Sequence, residues 1–369
     1  MKRRLRLVRG LKFEHKHWMH PFFQQLGRDV LARWKQKNFF LPAFPSIAGG
    51  ALLELNPSEA LDVPELLRDF LLNDEQPHQS HSGFGEPELV VFDHQAFYIQ
   101  ILCWLEGTTD IHQHKFSGAF HVLAGSSLHS QFEFQDAESI TAHLRVGNVV
   151  LRETNLLECG ATVEITSGRD FIHSLFHLET PSMTVVVRTH SDPGTGPQFT
   201  YLPPHLAIDP FHTDTLTLRR KQILDMLERT DDPGYPELVV GMLEDLDFER
   251  GFLVLQNGVG HLRNIGFWDE AWQIFAARHG RLADFVAPSL DEIIRRDALS
   301  ALRRVVVDPD QRFFLALLLN IPEPAKLREM LAVRYPKTSP AKLIRRFLQE
   351  ISDLDEEAAV LMNGVNLDA

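Results

Sequence analysis

"ILCWLEGTTDIHQHKFSGAFHVLAG", running from Ile101 to Gly125, places an apolar run ahead of two histidines, His112 and His114, and closes on a glycine. Successive residues of a strand alternate faces, so residues two apart share one. Both imidazoles therefore present themselves on one side of the sheet this segment joins, where they can hold one ion. Between Leu89 and Val187 short apolar runs recur, among them "ELVVF", "FYIQILCWL", "AFHVLAG", "LHSQFEFQ", "ATVEITSG" and "MTVVVRTH", each cut off by turn residues. In one of them Val163 and Ile165 alternate with Glu164 and Thr166. Evenly spaced short strands predict an all-β sandwich or barrel. Closing such a sheet leaves an interior wide enough for a small ligand or a metal.

Two imidazoles do not make a firm metal site, and a third ligand must come from a distant strand. His173, in "SGRDFIHSLFH" after the Ser167-Gly168 turn, is the candidate. The plain alternatives are a surface pair at a hairpin end for His112 and His114, and a satisfied core histidine for His173. His177 reads either as a residue acting beside the site or as packing, and His121 as a rim residue; either would be the fourth ligand of a closed tetrahedral zinc. Three neutral imidazoles hold Fe(II), Zn, Ni, Mn or Cu, and ligand type alone does not choose among them.

The frame around these histidines resembles the cupin superfamily. Gly107, His112-x-His114 and Gly125 are similar to its first motif, and "GATVEITSGRDFIHSLFH" to its second. Gly160, five residues and "TSG" stand where the second motif has glycine, five residues and "PxG", with Thr166 in place of proline. His173 follows two residues later than usual, and His177 sits where asparagine is often found. The usual cupin glutamate would fall at Gly118, so the set is three histidines without a carboxylate. In that respect, and in "ILCW-x-EG" ahead of "IH-x-H", the chain resembles the cysteine (thiol) dioxygenase family, as does the strand after Pro181 with Val185, Val186 and Val187. The likeness spans residues 90 to 195. It implies a cupin-type β-barrel (jelly roll) with Fe(II) at His112, His114 and His173, oxidising a small thiol or other anionic molecule with O2. The loop between Gly107 and His112 is one residue shorter than in that family. The family's Ser-x-His-x-Tyr run is here Thr184, Val186 and Arg188, and no arginine lies between Arg68 and Arg145. These departures weigh against cysteine itself. Arg188 shares a face with Thr184 and Val186 and replaces the missing cation from the opposite strand, a fork suited to a carboxylate. His190 shares that face at the mouth.

The flanks read differently. Residues 1–85 form a helical segment, with helices in "PFFQQLGRDVLARWKQKNF" and in "DVPELLRDFLLN", the latter capped by Asp62 with Pro64 in its first turn. Residues 86–205 hold the barrel. "HSDPGTGPQFTYLPPH" is a linker by composition, and residues 206–369 form an all-α region whose last long helix starts at Ser339-Pro340. The fold class is therefore α+β. Cys103 and Trp104 read as core, and Phe267, Trp268, Trp272 and Phe275 as a helix core stripe. The histidines of "EHKHWMH" (His15, His17, His20) and "HQSH" (His78, His81) read as solvated.

With 37 basic against 50 acidic residues and a formal net charge of -13, the chain of 369 residues lacks the cationic surface of a general nucleic-acid binder. "MKRRLRLVRG" has no apolar core of signal-peptide length behind it, and no run approaches a membrane span. Two cysteines, Cys103 and Cys159, are too few for a disulfide framework and fit a reducing cytoplasm.

The expected function is that of a mononuclear non-haem iron dioxygenase with Arg188 and His177 acting on a small anionic substrate. Three neutral imidazoles leave the charge of Fe(II) unbalanced and positions open, so that an anion and O2 meet in fixed geometry. A reading from another class is a non-catalytic metal- or ligand-sensing barrel, whose helical region binds a protein or peptide partner or makes a homo-oligomer. Isomerase or hydrolase chemistry on the same scaffold is a third, since fold does not fix function.

Overall fold

The computed structural model describes residues 20–79, 84–212 and 214–365. Its organisation follows from strand alternation. In β2 (Phe97–Trp104), Phe97, Ile99, Ile101 and Cys103 join the core beneath the N-terminal helices, while Tyr98, Gln100, Leu102 and Trp104 face an internal cavity. With β1 (Glu88–His94), β3 (Ile111–His114), β4 (Gly118–Ala124), β5 (Ser127–Ser139), β6 (Leu144–Leu157), β7 (Thr162–Ile165), β8 (Gly168–His177), β9 (Ser182–Thr189), β10 (Thr200–Leu202) and β11 (Leu206–Ile208) it builds two sheets. One is five-stranded, in the order β1-β2-β9-β4-β7. The other closes as β10-β11-β6-β5-β8-β3. The fold is α+β, a closed β-barrel flanked by helices on both sides in sequence.

The helices α1 (Pro21–Gln36), α2 (Phe44–Leu55), α3 (Pro57–Ala60) and α4 (Val63–Leu72) cover the outer face of the five-stranded sheet. Phe23, Leu26, Val30 and Trp34 from α1 share one core with Phe97, Ile99, Val185 and Val187. Asp62 caps α4 as its position suggests, accepting from the Glu65 amide at 2.8 Å. Cys103 lies in this core, where burial pushes its thiol up to about 11, so it packs as a small apolar group.

The segment read as a linker contains a strand. Thr200 and Tyr201 of β10 pair with His112 and Ile111 of β3, closing the barrel. Tyr201 is buried and its hydroxyl donates to the Gln113 side chain. Proline and glycine set the composition of that segment, but its backbone groups still need partners, and the edge of β3 supplies them.

The C-terminal helices are α5 (Thr215–Arg229), α6 (Tyr235–Asp245), α7 (Phe248–Asn264), α8 (Trp268–His279), α9 (Val286–Val305), α10 (Pro309–Asn320), α11 (Pro324–Arg334), α12 (Pro340–Ser352) and α13 (Glu356–Asn363). They divide between two cores, and both include barrel residues. Leu299, Phe313, Phe314 and Leu317 pack with Leu128, Phe176 and Leu178. Leu224, Tyr235, Leu243, Phe252 and Phe275 pack with Leu144, Val146 and Leu206. Helix α12 begins at Pro340 as read, but the Ser339 hydroxyl makes no capping bond. Among the described residues no helix is long and apolar enough to cross a membrane.

Helix α9 also grips the loop that leads into β3. Arg303, fully buried, donates from Nη1 to the carbonyl of Glu106 at 2.8 Å and from Nε to that of His177 at 3.1 Å. Replacing it by methionine keeps the volume and strands those carbonyls. A buried group left unsatisfied costs about 1–3 kcal/mol, so Arg303→Met should lower the thermal unfolding midpoint by several degrees, as read by circular dichroism; an unchanged midpoint would show that the clamp adds nothing.

Candidate functional site

Strands β3 and β8 run antiparallel with His112 opposite His173, and a register shift follows at Gln113 and His114. The three rings gather as a result. Ring centres are 4.6 Å apart for His112 and His114, 4.7 Å for His112 and His173, and 5.0 Å for His114 and His173. One ring nitrogen from each lies within 4.8 Å of the others, and all three residues are buried.

Their hydrogen bonds show which nitrogens are free. His112 Nδ1 lies 2.8 Å from the Asp110 carbonyl, which can only accept, so this nitrogen carries the hydrogen. Its Nε2 is left as a lone pair, buried and unpartnered. The Nε2 atoms of His114 and His173 point at each other, 2.9 Å apart. Burial holds all three imidazoles below the ordinary histidine range, and the proximity of their rings adds to this for His114 and His173. Uncharged rings with converging nitrogens are the donor set a divalent transition metal requires.

The cluster forms part of the wall of a cavity of about 540 Å³. Leu102 and Trp104 from β2, Phe120 from β4, Leu175 from β8 and Val186 from β9 make it largely apolar. Arg188 also lines it, as its position on the face of Thr184 and Val186 suggests. The guanidinium carbon lies 3.4 Å from the centre of the Phe116 ring and 5.0 Å from that of Tyr98. Among the described residues it pairs with no carboxylate within 4.0 Å; Tyr98, Glu88 and Asp192 act on it from further off. Burial pushes its pKa down to about 10, which leaves it charged at neutral pH.

The remaining histidines lie elsewhere. His177 ends β8 outside the cavity wall, its ring stacked on Trp104 at 4.8 Å and its Nδ1 2.8 Å from the Ser127 hydroxyl. Its carbonyl is held by Arg303, and the ring is packing rather than part of the cavity. His121 is fully buried instead of lying at a rim. It follows Phe120, so alternation sends it to the outer face, where it meets Thr162 at 2.8 Å and Ser58 at 3.2 Å. Among the described residues neither belongs to the three-histidine cluster, so neither completes a tetrahedral set. His190 is exposed against Tyr98 and bonds the His94 carbonyl. His20 caps α1, accepting from the Phe22 amide, while His15, His17 and His81 lie outside the described residues.

Two features were not read from the sequence. Gln100, buried in the cavity wall, has a side-chain oxygen with no partner among the described residues. His129 on β5 lies 3.0 Å, Nε2 to Nδ1, from His173. The signal for His129 was available in "LHSQF": Leu128 packs outward against the C-terminal helices, so its neighbour must point inward. Gly118, where the resemblance would place a glutamate, has a physical reason: a Cβ there would collide with the Val187 carbonyl oxygen. No side chain fits at that position.

No family model and no curated protein matches the chain. Among solved structures it is similar to KdgF from a Halomonas species, at 15% identity over 33% of this chain and 94% of that one, with a TM-score of 0.23. It is similar to a cupin-2 domain containing protein from Shewanella frigidimarina at 15% identity, over 34% of this chain and 92% of that one, with a TM-score of 0.21. It is also similar to hydroquinone 1,2-dioxygenase from a Sphingomonas species with 4-hydroxybenzoate bound, at 11% identity over 29% and 68%, with a TM-score of 0.23.

The buried histidines make stability depend on pH. Burial pushes His121 and His129 down to about 4 and His177 to about 3, against 6.5 when unfolded. Between those values the unfolded chain binds more protons. Stability is therefore full above pH 6.5 and falls as pH drops, by about 1.4 kcal/mol per unit for each such group, until the folded groups protonate. In chelator, the urea midpoint should be lower at pH 5 than at pH 7; equal midpoints would contradict the burial of neutral rings.

Proposed function

We propose that the chain is a mononuclear non-haem metal enzyme of cupin type, a dioxygenase acting on a small anionic substrate. The observation that carries this reading is the convergence of three buried, uncharged imidazoles on the wall of a cavity that also holds an arginine paired with no carboxylate among the described residues. His112, His114 and His173 would hold the metal, and Fe(II) is the ion whose chemistry matches the proposed oxidation; Zn, Ni, Mn and Cu suit the same donors. When bound, Fe(II) would supply the redox chemistry that lets O2 react with an organic molecule.

The residues of this chain would do the rest. Arg188 binds and orients the anionic end of the substrate, presenting its fork from the face of Phe116. Leu102, Phe120, Leu175 and Val186 take the apolar part and exclude water. With the histidines neutral and no carboxylate among them, the charge to be compensated is that of the metal, which favours a thiolate or another anion as partner. Thiols and small carboxylates are the substrate classes to test first.

Anaerobically purified protein should carry one equivalent of iron and take up oxygen with a member of a thiol and carboxylate panel. His112→Ala and His173→Ala should each abolish uptake and lower metal content at least 10-fold, since loss of one ligand of three undoes the site. Arg188→Leu should keep the metal and raise KM at least 10-fold, because a charge-assisted fork on a buried carboxylate is worth about 1.5–3 kcal/mol. Full metal content in both histidine variants would refute the assignment. A metal-loaded protein that consumes no oxygen across the panel would favour a sensing barrel instead.

A further inference from the structure

A histidine that binds a metal through one nitrogen ordinarily donates the other N–H to a fixed acceptor, which sets the tautomer and the ring's orientation. For His112 that acceptor is the Asp110 carbonyl. For His173 it is another imidazole, Nε2 of His129, at 3.0 Å. His129 is 1% exposed, sits edge-on to Phe120 with ring centres 6.0 Å apart, and leaves its own Nδ1 buried without a partner among the described residues.

We propose that His129 is a positioning residue that fixes the metal-binding tautomer of His173 while adding no charge to the site. The proposal rests on the reading of His112, His114 and His173 as a metal centre. With His173 Nε2 turned into the cluster, its Nδ1 carries the hydrogen and donates it to His129 Nε2. His129 must then keep its own hydrogen on Nδ1, where no acceptor stands. A buried N–H left unpaired is costly, and a phenylalanine would fill the same space without that cost. The arrangement makes sense if the acceptor itself is what matters. A carboxylate would accept more strongly, but it would place a negative charge against the ligand and offset part of the metal's charge. A neutral imidazole orients His173 and leaves that charge for the substrate. Gly118 acts in the same direction from the other strand, since no carboxylate fits there.

The test uses full-length protein and needs no turnover. Zn(II) affinity is measured against a competing chelator, and azide binding is followed in the visible spectrum of the Co(II)-loaded protein. His129→Phe should weaken Zn(II) binding 10- to 100-fold, the usual effect of losing such a partner. His129→Gln, whose amide oxygen can accept, should recover most of it. His129→Glu should bind Zn(II) at least as tightly as the wild type but bind azide at least 10-fold more weakly. Wild-type Zn(II) affinity in His129→Phe, or equal losses in the Phe and Gln variants, would reduce His129 to packing. Should His129→Phe fail to fold, the azide comparison between the Gln and Glu variants decides, and equal azide affinity overturns the proposal. A wild-type protein that binds neither metal would refute the reading of the site beneath it.

Discussion

Three imidazoles share a space so small that their nitrogens lie within 4.8 Å, and they can do so only uncharged. A proton on any of them would put a cation in a buried place beside two other rings, and for His114 near Arg188 as well. The rest of the inner architecture respects that constraint. Asp110 offers a backbone oxygen rather than its carboxylate, His129 offers an imidazole, and Phe116 packs against both His114 and the guanidinium. The His114 ring centre is 4.3 Å from that of Phe116 and the guanidinium carbon 3.4 Å from it. One ring thus touches both an imidazole and the cation, and Arg188 adds to the forces that hold His114 uncharged.

The helices serve this interior from outside. Those before the barrel bury the outward residues of β2 and β9, which frees the inward residues of the same strands to line the cavity. Those after it are not a separate body hung on a linker. They grow from two cores seeded on β5, β6 and β8, and through Arg303 they hold the loop from which β3 departs. Ser174, next to His173, donates to Asn320 of α10 at 3.2 Å, so the second histidine strand is tied to the same helices.

Much of this was legible where alternation governs. The sharing of a face by His112 and His114, and by Thr184, Val186 and Arg188, follows from strand geometry once the strands are recognised, and the helix caps and apolar stripes mark the flanks. Partnership between strands was harder. That β10 exists, and that it pairs with His112, depends on a register that proline and glycine content conceals. His121 was misjudged because its direction depends on which side of β4 the helices cover, and the two readings of His177 could not be separated because strand parity says nothing of where a strand leaves the cavity. His129 escaped notice for a related reason. Alternation in "LHSQF" sets it opposite Leu128, but which of the two faces inward depends on where the helices pack.

The close approach at Gly118 reaches beyond the three histidines. With the Val187 carbonyl so near, even the methyl group of alanine meets the neighbouring backbone. Exchange between a three-histidine centre and one completed by glutamate is thus closed to this chain by single steps: β9 would have to be laid down afresh against β4 before an acidic side chain could enter. Mutational drift at the centre is channelled into the surrounding cavity, whose walls can change shape and polarity while the ionic character of the centre stays as it is.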